Sequence, residues 1–412
     1  METIEDIVIV GAGIAGLTTA LGLHRLGLRT LVLESWSDLR VTGFALLNWT
    51  NAWKALDALG IGDSLRQNHQ QLTGVVASSL VSGLPSSEMS FLVKGKHGDH
   101  EVRCLRRMVL LETLAKDLPP GTIRFCSKVV SIEEAGYYKL VHLADGSILK
   151  TKVLIGCDGV NSVVGKWLGI QRPTFTGRCA ARGIAEFPNG HNLKPKFMQF
   201  FGNGFRSGFI PCDKNNTYWF FTYSSSNRNK DTGEDDDPAK MKQFVLRNLG
   251  NVPKDLVDVV EKTELKNIAS SPLMHRWPWK VLWPGAIYKE NVCIAGDALH
   301  PMTPDIGQGG CSALEDGIVL ARCLGEVFSR KQSGEITNEE EEYTSIRKGL
   351  EKFAKERKWR SFELVTTAYM VGMIQQSSWK VINLFRDKVL SSYLVGLLLK
   401  KADFDCEKLK LS

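Results

Sequence analysis

The chain opens on a short apolar run and then changes period. Ile7-Val-Ile-Val10 is continuous and β-branched, the pattern of a strand covered on both faces. After Gly11-Ala-Gly13-Ile-Ala-Gly16, the apolar residues Leu17, Ala20, Leu21, Leu23 and Leu26 return at helical spacing, and Gly27 ends them. Further strands are predicted at Thr30 to Leu33, at Val153 to Gly156 and at Asn291 to Ala295, and a helix from Cys311 to Leu324. Residues 72–104 and 176–284 lack helical period. They carry aromatic runs, Phe197 to Phe201 and Tyr218 to Tyr223, with Gly202, Gly204 and Gly208 between them, which predicts a mostly antiparallel sheet. Helices are expected at Asn51 to Gln67, Met108 to Asp117 and Asp237 to Leu249, with an acidic loop at Asp231 to Pro238.

Residues 346–412 read as three helices: Arg347 to Ser361, Phe362 to Gln376 and Trp379 to Lys401. In the last, Leu390, Leu394, Leu397 and Leu398 share one stripe. Such a stripe either packs on the body or meets a membrane surface, and packing is the favoured reading. The longest apolar stretch, Val389 to Leu399, is interrupted by Ser391, Ser392, Tyr393 and Gly396 and falls short of the roughly 20 residues of a membrane span.

Charge sharpens this division. The 412 residues carry a net +7, and residues 346–412 hold all of it, with 14 Lys+Arg against 7 Asp+Glu. The remainder is neutral, and no nucleic-acid motif accompanies the basic end, so a nucleic-acid partner is not expected. Nine cysteines stand singly with no CxxC pair, which argues against a disulfide framework or a zinc site and for a cytoplasmic or other reducing compartment. No targeting segment is seen before the first strand.

The glycines carry the first chemistry. Strand, Gly11-x-Gly13-x-x-Gly16, helix, second strand and Glu34 in register are the parts of a dinucleotide site. Gly11 makes the tight turn, Gly13 lets backbone approach a pyrophosphate, and Gly16 lets helix and strand pack. Ile14 and Ala15 open the helix toward the phosphates, and Glu34 faces a ribose hydroxyl. The motif alone leaves NAD and FAD open.

Two later segments decide between them. Gly296-Asp297-Ala-Leu-His300-Pro301, Pro304-Asp-Ile-Gly307-Gln308-Gly309-Gly310 and Ala313-Leu-Glu315-Asp316 resemble the GD, AAHP, PxxGQG and AxED motifs of class A flavoprotein monooxygenases of the aromatic hydroxylase type. Gly156-Cys-Asp158-Gly159-Val-Asn-Ser162 resembles the family's DG motif. The resemblance spans nearly the whole chain and is closest to the plant enzymes related to zeaxanthin epoxidase. It implies an α/β fold: a Rossmann-type FAD-binding domain with an inserted, mostly antiparallel substrate-binding sheet and C-terminal helices. The expected division is 1–71, 105–175 and 285–345 for FAD, 72–104 and 176–284 for substrate, and 346–412 for the helical end.

By the same resemblance, Asp297 holds a ribityl hydroxyl, and Pro304 with Gly307 to Gly310 presents amides to the flavin, where a helix N-terminus stabilises charge gained on reduction. Asp158 and Gly159 meet the pyrophosphate and serve the nicotinamide, Arg107 approaches the FAD phosphate or ribityl, and Arg40 with Gly43 lies near the flavin. Gly165 stands where relatives usually carry arginine, with Lys166 beside it as a substitute phosphate contact. His300 reads as structural.

The implied activity uses FAD as cofactor, NAD(P)H as transient reductant and O2. It inserts one oxygen atom into a small organic substrate, aromatic or phenolic, through a flavin C4a-hydroperoxide, with no metal and no assignable substrate base. An epoxidase for an isoprenoid, or a flavin-binding protein of weak turnover, is the alternative; a NAD-dependent dehydrogenase would leave the later motifs unexplained. Trp277-Pro-Trp279-Lys begins like the WxWxIP of flavin-dependent halogenases but lacks the Ile-Pro.

Overall fold

A computed structural model describes residues 4–39, 43–81, 86–225, 237–375 and 391–409. Arg40, most of the acidic loop at 231–238 and the start of the last predicted helix lie outside these residues. The strand Ile4–Val10 forms the centre of an eight-stranded sheet, paired in parallel with Ile148–Gly156 on one side and Leu31–Leu33 on the other. Ile123–Arg124 and Val292–Ile294 extend the parallel part, while Val129–Ala135 and Tyr138–Leu143 add an antiparallel flap. Ile7, Val8 and Ile9 are fully buried, as their β-branched run requires.

Two helices cover this sheet together. Ile14–Arg25 lies against Gly309–Gln332 so closely that a Cβ at Gly22 would come within 2.7 Å of the Ala321 Cβ, and one at Gly317 within 2.5 Å of Thr18. Paired glycines let the backbones approach, and side chains elsewhere fill the groove.

The second sheet has seven strands in the order Ile268–His275, Thr174–Glu186, Asn216–Ser224, Phe205–Pro211, Lys196–Phe201, Gly74–Ser79, Ser87–Ser90. All its pairings are antiparallel except that of Lys196–Phe201 with Gly74–Ser79. Alternation along Asn216–Ser224 divides the aromatics by face. Trp219, Phe221 and Tyr223 pack beneath the helices Pro238–Asn248 and Lys254–Lys262, whereas Tyr218, Phe220 and Thr222 face the other sheet.

Several boundaries differ from expectation. The helix predicted over Asn51 to Gln67 is two, Thr50–Ala58 and Gly62–Asn68, because Gly60 adopts φ +76 between them. The helices predicted at 347–361 and 362–376 are one, Glu339–Gln375, of 37 residues, with no glycine turn or proline to divide them. A final helix, Ser391–Ala402, buries Val395, Leu398 and Leu399, so the described part of the leucine stripe packs on the body. Leu390 and the side chain of Leu394 lie outside the described residues. Among the described residues no helix is long and apolar enough to cross a membrane.

Candidate active site

A continuous cavity of about 760 Å³ runs between the two sheets and reaches the glycine turn after the first strand. At its nucleotide end Gly11 has φ +101, and a Cβ there would lie 2.5 Å from the Cys157 carbonyl oxygen. A Cβ at Gly16 would lie 2.0 Å from the Gly11 oxygen, whereas one at Gly13 would meet no protein atom within 4 Å. Gly11 and Gly16 are therefore required by the fold itself, and Gly13 leaves its face toward the cavity. Ile14, Ala15, Glu34, Gly43, Arg107, Asp158 and Gly159 line the same cavity.

The Glu34 carboxylate is partly committed. Its Oε2 accepts the Ala12 amide at 2.8 Å, and its Oε1 accepts from Trp36 N at 3.1 Å and Ser35 Oγ at 3.2 Å. A carboxylate offers about four lone-pair directions, so capacity remains for a ribose hydroxyl. Arg107 opens the helix Arg107–Lys116 and is placed by its own amide, which donates to the Phe44 carbonyl at 2.7 Å.

Asp158 lines the cavity and also braces its own turn. Its Oδ1 accepts the Ser162 hydroxyl at 2.5 Å and its Oδ2 the Val163 amide at 2.6 Å, so the carboxylate holds Ser162, the residue that caps the short helix Val163–Trp167 through the Gly165 amide. What this turn turns toward the cavity with Asp158 is Gly159, Val160 and Asn161. Lys166, expected as a phosphate contact, is exposed and does not line the cavity.

Farther along, Asp297 is open to the cavity and enclosed by protein on its other sides. Burial pushes its carboxyl above the ordinary carboxylate range, against the pull of His300 and Arg107. Gly307, at φ +61, turns the chain into the helix Gly309–Gln332, whose first turn has no side-chain cap and lies at the cavity wall with Pro304, Gly309 and Gly310. Gln308 is the exception among the motif residues. It is fully buried, does not line the cavity, and its Oε1 accepts from Asn51 Nδ2 at 2.8 Å.

Beneath this helix lies a charge network that the motifs alone did not disclose. His300 Nε2 meets Asp316 Oδ2 at 2.6 Å, Arg357 Nε donates to Asp316 Oδ1 at 2.6 Å, and Arg357 Nη1 lies 2.6 Å from Glu315 Oε2. Arg360 Nη2 donates to Glu315 Oε1 at 2.8 Å. Burial alone would raise both carboxyls, but the guanidinium charges, with His300 foremost at Asp316, outweigh it and hold each at about 2. His300 is thus structural, and two arginines of the basic end neutralise carboxylates of the body.

The chamber under the second sheet was also not read from the sequence. Arg182, Gln199, Arg206, Tyr218, Phe220 and Thr222 face it from neighbouring strands. Asp305, fully enclosed, accepts from Arg178 Nη2 at 2.9 Å and Arg206 Nη1 at 3.3 Å; burial would raise its carboxyl, and the two arginines hold it below the usual range. Arg206 lies 4.9 Å from the Phe220 ring centroid. The shared parity of residues 218, 220 and 222 was the available signal for this face; which way it pointed depends on the helices packed behind 219, 221 and 223.

Glycine cradle, uncapped helix N-terminus and Asp297, to which no described residue donates a hydrogen bond, together fit a flavin dinucleotide, and the adjoining chamber fits a substrate beside it. Fold and site define a two-sheet flavoprotein oxygenase. The chain belongs to the family described as FAD binding domain, whose model matches residues 5–354. It is 56% identical to Monooxygenase 2 of Arabidopsis thaliana over 99% of both chains, and 33% identical to Monooxygenase 1 of the same plant over 99% of this chain and 100% of that one. Zeaxanthin epoxidase of an Oncidium hybrid is 27% identical over 89% of this chain and 55% of its own. Among solved structures, Klebsiella pneumoniae HpxO complexed with FAD and uric acid has a TM-score of 0.79 at 22% identity, covering 96% of each chain. The protein is an FAD-dependent enzyme of the monooxygenase class.

Proposed function

We propose that the protein uses NAD(P)H and O2 to insert one oxygen atom into a small aromatic or phenolic substrate held in the chamber between the sheets. The observation that carries this reading is the continuity of one cavity from the glycine cradle to a chamber walled by Tyr218, Phe220 and Arg206. Bound FAD supplies the two-electron chemistry and the activation of O2.

The chain's own residues hold, orient and exclude water. Gly13 and the Gly159 turn give backbone room for the pyrophosphate, Glu34 receives a ribose hydroxyl, and Asp297 receives a hydroxyl of the ribityl chain. Uncapped amides at Gly309 and Gly310 stabilise negative charge at the flavin edge without a titrating group. Asp305 fixes Arg206 against Phe220, so the guanidinium is aimed before substrate arrives. Apolar residues Leu46, Leu47, Phe197 and Ile210 keep bulk water from the reacting faces. The free cysteines support a reducing compartment.

The test is purified holoenzyme assayed for NADH and NADPH oxidation, oxygen uptake and oxygenated product with phenolic substrates and with isoprenoids. Substrate-stimulated oxygen uptake with a hydroxylated phenol supports the reading. Turnover confined to isoprenoids replaces it with epoxidation, and a bound flavin with no reductant-driven uptake leaves a binding protein of weak turnover.

A further inference from the structure

We propose that Cys104 and Cys212 are a redox modification site, at which hydrogen peroxide joins the two thiols in a disulfide and clamps the strand Arg103–Arg106 to the hairpin turn after Phe205–Pro211. The two sulfurs lie 3.3 Å apart, and both cysteines are fully buried. Cys104 stands opposite Leu47 in the strand pair of Ala45–Asn48 with Arg103–Arg106. Cys212 follows the strand Phe205–Pro211, and its thiol also reaches the Ile210 carbonyl at 3.8 Å. Arg106 and Asp213 form an ion pair at 3.5 Å between the same two segments. Asp213 Oδ1 in turn accepts the amides of Asn215 and Asn216, each at 2.9 Å, so the turn that carries Cys212 is braced. A disulfide holds its sulfurs at about 2.05 Å, so closure takes about 1.3 Å of approach, which rotation of the two side chains supplies.

The pair stands behind the cavity wall. Leu47, Ile210 and Tyr218 line the cavity, and Tyr218 interacts electrostatically with both cysteines. Hydrogen peroxide, close to water in size, reaches the sulfurs past these side chains. One thiol loses its proton and attacks the peroxide; the O–O bond breaks, giving a sulfenic acid and one water. The second sulfur then attacks the sulfenic sulfur, the S–O bond breaks, and the oxygen leaves with the second thiol's proton as another water. Two thiols lose two electrons in all, and one peroxide becomes two waters. Burial raises the Cys104 thiol above its ordinary value, so attack is slow, and the adjacent sulfur intercepts the sulfenic acid before a second peroxide oxidises it further. In a reducing compartment such a pair rests as thiols and is bridged transiently.

The test treats holoenzyme with hydrogen peroxide, blocks the remaining thiols, digests without reductant and maps linked peptides by mass spectrometry. Cys126, which is exposed, reports that the peroxide has acted. The expected result is a Cys104–Cys212 peptide that dithiothreitol reverses. The linked protein should melt several degrees above the reduced one, because the bridge joins residues 108 apart and restricts the unfolded chain. Cys104→Ala and Cys212→Ala are each expected to lose both the linked peptide and the reversible rise. Should either variant fail to fold, peptide mapping of the native chain decides alone. Oxidised Cys126 beside Cys104 and Cys212 recovered as thiols, their recovery as sulfinic acids, their pairing with other cysteines, or a linked form that melts no higher than the reduced one would overturn the proposal.

Discussion

The amide of Gly296 donates to Asp316 Oδ2 at 2.8 Å, and that bond ties together two stretches 20 residues apart. Asp316 also receives His300 and Arg357, so the Gly-Asp turn, the His-Pro segment and the Glu-Asp pair of the long helix are one device. Its effect is to hold Asp297, the residue after Gly296, at the cavity wall. Arg357 is the weak point, being fully buried between Glu315 and Asp316.

Replacing Arg357 by Met leaves two buried carboxylates short of a countercharge. Breaking a buried pair from one side costs about 3–5 kcal/mol, and the expected outcome is a matching fall in urea-unfolding stability together with loss of bound flavin. Arg357→Lys should recover part of both. A variant with unchanged unfolding midpoint would show that Arg360 and His300 suffice.

The same network sets the acid limit of the fold. Glu315 and Asp316 are held at about 2 in the native state, below the value of about 4 that such groups have in an unfolded chain. Depressed native carboxyls bind fewer protons than unfolded ones, so their stabilisation is full above about pH 4 and is lost as pH falls toward about 2. Urea midpoints measured across that window should fall steeply in the native protein and less steeply in Arg357→Met, where the depression is relieved.

Two glycines of one motif should fail in different ways. A methyl at Gly16 would sit 2.0 Å from a backbone oxygen, so Gly16→Ala is expected to destabilise the protein by about 1–3 kcal/mol or more, with or without flavin. A methyl at Gly13 meets no protein atom and enters the space of the cradle. Gly13→Ala should leave apoprotein unfolding unchanged and weaken FAD binding about tenfold or more, measured by flavin fluorescence titration. Equal stability loss in both variants would remove the distinction.

This contrast shows what the sequence could and could not disclose. The glycine turn, its strand and Glu34 were legible because their chemistry is local: backbone conformation and spacing carry it. The second task of Asp158 was not legible for the same reason, since an Asp-Gly turn looks alike whether or not its carboxylate also binds the first amide of the next helix. Arg357, Arg360 and Asn51 reach the long helix from distant parts of the chain, and no local pattern announces a buried ion pair between residues 41 apart. Arg182 and Arg206 were hidden differently. Strand alternation groups them with Phe220 and Thr222, but which face is the chamber depends on what the opposite face packs against.

In the chamber, the two partners of Asp305 are unequal. Arg178 makes two contacts with its carboxylate and also donates to the Gly372 carbonyl, whereas Arg206 makes one and is the more deeply buried. Asp305→Asn should be more damaging than Arg178→Gln, because it leaves two guanidiniums together without a counterion, while the second change leaves the Arg206 pair intact. Melting temperatures in that order, with substrate KM raised most in Asp305→Asn, are the expected result; the reverse order would place the anchor elsewhere.

The basic end gives the last test, because two of its arginines, Arg357 and Arg360, are turned inward. Phe404 lies under Arg360, its ring centroid 4.6 Å from the guanidinium carbon, and 5.5 Å from that of Arg357. The Lys401 carbonyl accepts from Arg360 at 2.7 Å, Asp405 receives Lys54 at 3.2 Å, and Leu398 lines the cavity. Deleting the residues after Trp379 therefore removes the cover of the Glu315–Arg360 pair and one wall residue of the cavity, and admits water to both. Water raises the local dielectric and weakens that pair, so the truncated protein is expected to melt lower and to release FAD faster than the full chain. Phe404→Ala should reproduce the effect in smaller measure, as it removes the ring and leaves the helix. A truncated protein with the melting temperature and flavin release rate of the full chain would make the end an appendage, and its charge would then need a partner outside the molecule.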